Sequence, residues 1–152
     1  MTNMKRIVCS IALSFVCFSA NTNNQTEENS SLETERKIAL SKTINQYFKA
    51  RKNADLDLLK QVFSNQARLT TLSPKGLLKV IPLEEYLAVV AHQGKVSAVT
   101  TIDYMRIDQN MAFAKITFEY TDKIYVDHLT LIKITDEWRI IHKSFEKVTF
   151  QK

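Results

Sequence analysis

Hydrophobic positions along the chain recur first at helical and then at strand spacing. Leu40, Ile44, Tyr47, Phe48 and Arg51 are separated by steps that place them on one helical face, in a helix expected to begin near Glu33. Lys52-Asn53-Ala54 interrupts that run. Asp55 is suited to cap a short second helix, whose burial candidates are Leu58, Leu59, Val62 and Phe63. Beyond Phe63 the period shortens: residues 67–72 read as a strand, Pro74-Lys75-Gly76 as a turn, and 77–81 as a second strand. Pro82 opens a third helix with Glu84 and Glu85 at its positive end, and Gly94 closes it just after His92. The remainder reads as four long strands over 96–107, 111–120, 124–134 and 138–150, joined by short polar turns.

Helices followed by a run of antiparallel strands predict an α+β domain, with a curved antiparallel sheet packed against three helices from the N-terminal half. Curvature would make a cone, and the apolar inside of a cone is a ready pocket. On the strand from Met111, alternation turns Ala112, Ala114, Ile116, Phe118 and Tyr120 to one apolar face, expected to line the cavity. On the last strand Ile141, Lys143 and Phe145 share a face that would look the same way, with Lys143 free to meet an acidic group or to reach the rim.

The first twenty residues follow a different pattern. Lys5 and Arg6 precede an apolar run over 7–18, then the small residues Ser19 and Ala20, then a polar stretch. That order predicts a signal peptide over 1–20, a disordered leader over 21–32, and a folded domain over 33–152. The apolar run falls short of the roughly twenty residues that span a bilayer, so the mature chain is expected off the membrane, secreted or periplasmic. Both cysteines, Cys9 and Cys17, lie in that segment. A mature chain without cysteine excludes disulfides, thiolate metal sites and a cysteine nucleophile.

Removing Lys5 and Arg6 leaves 19 basic against 16 acidic residues, scattered along the chain, which does not point to nucleic acid. The histidines show no metal-ligand spacing, Gly76 and Gly94 stand alone rather than in a phosphate loop, and no serine sits in a nucleophile elbow. No cofactor is expected.

The segment from Tyr47 through Asp55 to Phe63, followed by Ala67, resembles the opening of nuclear-transport-factor-2-like domains, which carry an acidic residue after the first helix and an aromatic near the end of the second. Tyr125-Val126-Asp127-His128-Leu129-Thr130-Leu131 and Trp138-Arg139-Ile140-Ile141, continuing to Phe145, resemble the lumazine-binding branch of that superfamily. The resemblance covers residues 35–150 and implies the cone. Members include steroid isomerases, polyketide cyclases, dehydratases and proteins without a reaction, so the fold leaves the activity open.

The isomerase pattern implied by the resemblance places its tyrosine at Tyr47, its carboxylate base at Thr71 and its second acid at Thr130. A threonine hydroxyl does not accept a proton near neutral pH as a carboxylate does. The same match turns Val126, His128, Thr130, Ile132 and Ile134 inward, and Asp127, Leu129 and Leu131 outward; a one-residue slip would exchange the sets. The expected pocket residues are therefore Tyr47, Phe118, Tyr120, His128, Thr130 and Lys143. Tyr47 also suits a plain core role, and His128 one satisfied by a neighbouring hydroxyl. The expectation is an exported, non-catalytic domain that binds a small hydrophobic or aromatic ligand and pairs as a homodimer through its sheet face. An isomerase, cyclase or dehydratase with His128 as base and Tyr47 as donor is the alternative. A third reading is a structural module that joins a partner through an exposed face carrying Trp138, Ile140 and the Asp127 side of the neighbouring strand.

Overall fold

The computed structural model describes residues 22–150, with side chains from residue 30 onward; the expected signal peptide and both cysteines lie outside them. Helix α1 runs Thr22–Asn53, so it begins inside the segment expected as a leader. Residues 30–39 are all exposed, and the first buried side chain is Leu40. From there Leu40, Ile44, Tyr47, Phe48, Ala50 and Arg51 form the buried stripe that their spacing predicts. Ala54 turns into the left-handed region at φ 53°, and the Asp55 side chain accepts the Leu58 N–H at 3.0 Å to start α2, Leu56–Val62. Helix α3, Leu83–Gln93, ends at Gly94 with φ 66°, whose N–H bonds the Val90 carbonyl. Among the described residues no helix is long and apolar enough to cross a membrane.

The strands are β1 Phe63–Leu72, β2 Leu78–Pro82, β3 Val99–Asp108, β4 Met111–Glu119, β5 Lys123–Ile134 and β6 Glu137–Thr149. They form one sheet in the order β2-β1-β6-β5-β4-β3. The four C-terminal strands make the expected antiparallel meander, and the three helices complete an α+β cone around its inner face. The sheet is nevertheless mixed, because β1 pairs with β6 in parallel. These two strands are distant in sequence, so no hairpin turn dictates their relative direction.

Two bulges bend the antiparallel part of the sheet. In β3 the register jumps from Ile102↔Ile116 to Tyr104↔Lys115, leaving Asp103 as the extra residue. In β6 it jumps between Thr130↔His142 and Leu131↔Ile140, leaving Ile141 as the extra residue. An extra residue resets which side chains face inward and sharpens the local bend. Hence Trp138, Ile140 and Lys143 are all buried on one side of the sheet, although strict alternation could not place them together. The expectation of Trp138 and Ile140 on an exposed face is corrected: they are core.

The facing of β5 is also the reverse of the expectation. Asp127, Leu129 and Leu131 point inward at 2 % exposure or less, paired with Ile116, Ala114 and Ala112. His128 is exposed on the outer face, opposite Lys115, and the half-buried Thr130 on the same face lies opposite Phe113. Val126, Thr130 and Ile132 on that outer face are apolar or short enough to imitate an inner set, which is why the match misled. The small Ala112 and Ala114 leave room for the two leucines that do pack inward.

This facing predicts different costs for near neighbours on β5. Leu131→Ala should destabilise the fold by about 2–5 kcal/mol, whereas His128→Ala should change it by less than about 0.5 kcal/mol. Chemical denaturation of the two variants checks it; equal costs would contradict the assigned register.

Candidate functional site

A cavity of about 400 Å³ opens among α1, α3 and strands β4 to β6. Its polar floor is built from four elements. Lys143 of β6 donates from Nζ to Asp127 Oδ2 of β5 at 2.9 Å and to the Tyr47 hydroxyl oxygen of α1 at 3.0 Å. Tyr47 donates its own proton to Asp127 Oδ2 at 3.1 Å. The Tyr86 hydroxyl of α3 lies 3.2 Å from that of Tyr47. A phenol has one proton and two acceptor sites, so with its proton on Asp127 the Tyr47 oxygen accepts from both Lys143 and Tyr86.

Burial makes this cluster consequential. Lys143 is 5 % exposed and Asp127 1 %. Burial alone opposes the charged ammonium, yet the neighbouring Asp127, seconded by Tyr86, outweighs it and holds the Lys143 pKa above its ordinary value of 10.5. Burial is likewise the main reason that the Tyr47 hydroxyl is pushed well above 10.0, reinforced by Tyr86 and Asp127. The ammonium also lies 4.6 Å from the centre of the Phe145 ring and 5.0 Å from that of Tyr86, within reach of their negative faces.

The walls are aromatic. Phe118 meets Tyr47 edge-to-face at 5.5 Å between centroids, and Tyr125 bridges Tyr120 at 5.9 Å and Phe145 at 6.2 Å. Tyr120 is half-buried, and that burial raises its pKa against the opposing influence of Arg51. Arg51, one turn beyond Tyr47 on α1, donates from Nη2 to Gln93 Oε1. Two side chains that line the cavity each carry one polar atom that is buried and without a hydrogen-bond partner among the described residues: Asp127 at Oδ1 and Arg51 at Nη1.

Of the residues expected in the pocket, Tyr47, Phe118, Tyr120 and Lys143 line this cavity together. His128 and Thr130 do not, because the inward residues of β5 are the odd-numbered ones. His128 instead borders a second, more open groove of about 940 Å³ on the other side of the sheet, with Thr70, Thr71 and Ser144. Asp127, Arg51, Tyr86 and Tyr125 belong to the site and were not expected there. Arg51 could have been found, since it falls on the same helical face as Tyr47 and a charge on a buried stripe needs a reason.

Residues 35–146 match the family described as "Putative lumazine-binding". No curated protein matches the chain in sequence. Among solved structures it is similar to a nuclear-transport-factor-2-like protein of unknown function from Silicibacter pomeroyi, at 18% identity and TM-score 0.70, over 76% of this chain and 98% of the other. A second such protein, from Shewanella baltica, gives 19% identity and TM-score 0.71 over 77% and 97% of the two chains. A ketosteroid isomerase-like protein from Erwinia carotovora gives 15% identity and TM-score 0.62 over 74% and 96%. Identities this low establish a shared fold.

The floor predicts two measurable effects. Asp127→Ala leaves a buried ammonium without its anion and should cost about 3–5 kcal/mol, while Asp127→Leu combined with Lys143→Met should cost clearly less than the two single changes added together. The folded-state pKa values of Lys143 and Tyr47 both lie above their unfolded values. Their contributions are therefore complete below about pH 10 and are lost as the pH rises further, because the unfolded chain releases those protons first. Denaturation across pH 8 to 12 should show a steep alkaline loss that becomes shallower in Tyr47→Phe; an unchanged slope would contradict the cluster.

Proposed function

The chain belongs to this lumazine-binding-like family of the nuclear-transport-factor-2-like superfamily, and on that premise we propose that it is an exported domain that holds a small aromatic molecule in its cone without transforming it. The observation that carries the reading is a cavity with aromatic walls over a polar floor in which Lys143, Asp127 and Tyr47 hydrogen-bond one another. About 400 Å³ suits a ligand of one or two rings, and ligand pockets combine apolar walls with a few convergent polar groups in this way.

The arrangement disfavours the isomerase alternative. An oxyanion hole needs donors aimed at the point where negative charge develops. Here the Tyr47 proton is directed to Asp127, and Asp127 acts as an acceptor from Lys143 and Tyr47 rather than as a donor. The isomerase design uses a neutral acid that donates. The histidine that would serve as base borders the groove across the sheet from this cavity. The name of the isomerase-like neighbour therefore lends this chain its shape and not its reaction.

A second copy on the outer sheet face completes the proposal. Tyr104 and Phe113 are 56 % and 47 % exposed there, and Thr130, facing Phe113 across the β4–β5 ladder, is only half-covered. Exposed apolar side chains gathered on one face fit an isologous dimer, in which each copy offers the same patch. The first twenty residues would direct the chain to a secreted or periplasmic location.

Native mass spectrometry of the exported protein tests these points together. The expected result is a dimer carrying a small molecule, with ligand retention lowered in Tyr47→Phe and unchanged in His128→Ala. Phe113→Glu should yield monomers. An empty protein that also binds no added aromatic compound would overturn the ligand-binding reading.

A further inference from the structure

Arg51 raises a question that the floor of the site does not answer. It is 9 % exposed and lines the cavity, yet among the described residues it forms no ion pair; Nη2 bonds the neutral Gln93, and Nη1 is buried without a partner. The other two lining cations are accounted for. Lys143 has Asp127 at 2.9 Å, and Lys123 has Asp122 at 3.1 Å. A guanidinium withdrawn from water is costly unless an anion or several acceptors meet it, and it does not escape the cost by losing its proton.

The carboxylate on the floor is unbalanced in the opposite sense. Asp127 receives both of its hydrogen bonds, from Lys143 and from Tyr47, on Oδ2. Oδ1 is buried and receives none. One lining residue therefore has a buried donor without an acceptor and another a buried acceptor without a donor, in a cavity walled by aromatic side chains. Buried polar atoms are rarely left unmatched, so a molecule that supplies both complements is the economical account.

We propose that the cavity selects a flat aromatic or heteroaromatic anion that also carries an N–H or O–H group. With the two side chains turned to present these atoms, its anionic oxygen accepts from Arg51 Nη1, its donor bonds Asp127 Oδ1, and its ring packs against Phe118, Tyr125 and Phe145. This rests on the small-molecule reading above and narrows it to a charge and a donor–acceptor pattern. An uncharged apolar ligand of the same size would leave both buried atoms as they are. An anion lacking a donor would satisfy only Arg51.

The test uses the purified mature protein and isothermal titration calorimetry at fixed ionic strength. The probes are benzoate, its neutral isostere benzamide, the three hydroxybenzoates with their methoxy counterparts, and indole. Benzoate should bind about tenfold or more tightly than benzamide, the scale set by one charge-assisted hydrogen bond. At least one hydroxybenzoate should bind more tightly than its methoxy counterpart, which cannot donate. Arg51→Gln should remove the preference for benzoate over benzamide while indole still binds, and Arg51→Lys should retain part of that preference. Circular dichroism establishes that both variants fold. Benzamide binding as tightly as benzoate, or a preference that survives in Arg51→Gln, would overturn the proposal. If indole binds and the acids bind no better, only the anion selectivity fails; if no probe binds, the small-molecule reading fails with it.

Discussion

A lysine ammonium inside a protein must be met by an anion, and in this fold that requirement ties together four elements that are far apart in sequence. Lys143 on β6 reaches Asp127 on β5, Tyr47 on α1 bonds to both, and Tyr86 on α3 closes the set. Neither bond to Asp127 survives a one-residue shift of β5 against β6, since alternation would carry Asp127 to the outer face. A buried ion pair of this kind is a modest source of stability, because desolvation offsets much of the attraction. Its stronger effect is on what competes with the native pairing: any register that buries Lys143 without Asp127 is heavily penalised. The cluster thus works as a register lock for the half of the sheet that shapes the cavity.

The bulge at Ile141 is the backbone counterpart of that lock. It allows Trp138 and Ile140 to pack into the core while Lys143, on the far side of the extra residue, still points inward. It also bends β6 where the strand must wrap the cavity. Sequence, bend and site are linked here by one residue. The Ala112 and Ala114 positions on β4 then leave space for Leu129 and Leu131, so that the deep end of the cone is filled with side chains.

The helices, the meander and the inward face of β4 were legible in the sequence because each shows a clean period: three-and-four spacing in α1, strict alternation in Ala112 to Phe118. Tyr47 and Phe118 lie on those two faces, and Tyr120 continues the second; Lys143 lies beyond the β6 bulge, where alternation holds as far as Phe145. His128 and Thr130 were misplaced because β5 carries apolar side chains on both faces, so alternation leaves its facing undetermined and the isomerase match settled it the wrong way. Trp138 and Ile140 were misplaced by a bulge, which leaves no mark in a pattern read two residues at a time. Asp127 was hidden by the first of these errors. The parallel β1–β6 pairing joins segments too distant for any local turn signal.

The cluster holds together only if Lys143 is charged in the interior. The direct measurement is nuclear magnetic resonance of the Lys143 side-chain ammonium in protein labelled with nitrogen-15. A buried, hydrogen-bonded ammonium predicts a separate, slowly exchanging signal at neutral pH that persists beyond pH 10.5. A rapidly exchanging signal, or one that titrates below that value, would contradict the central claim.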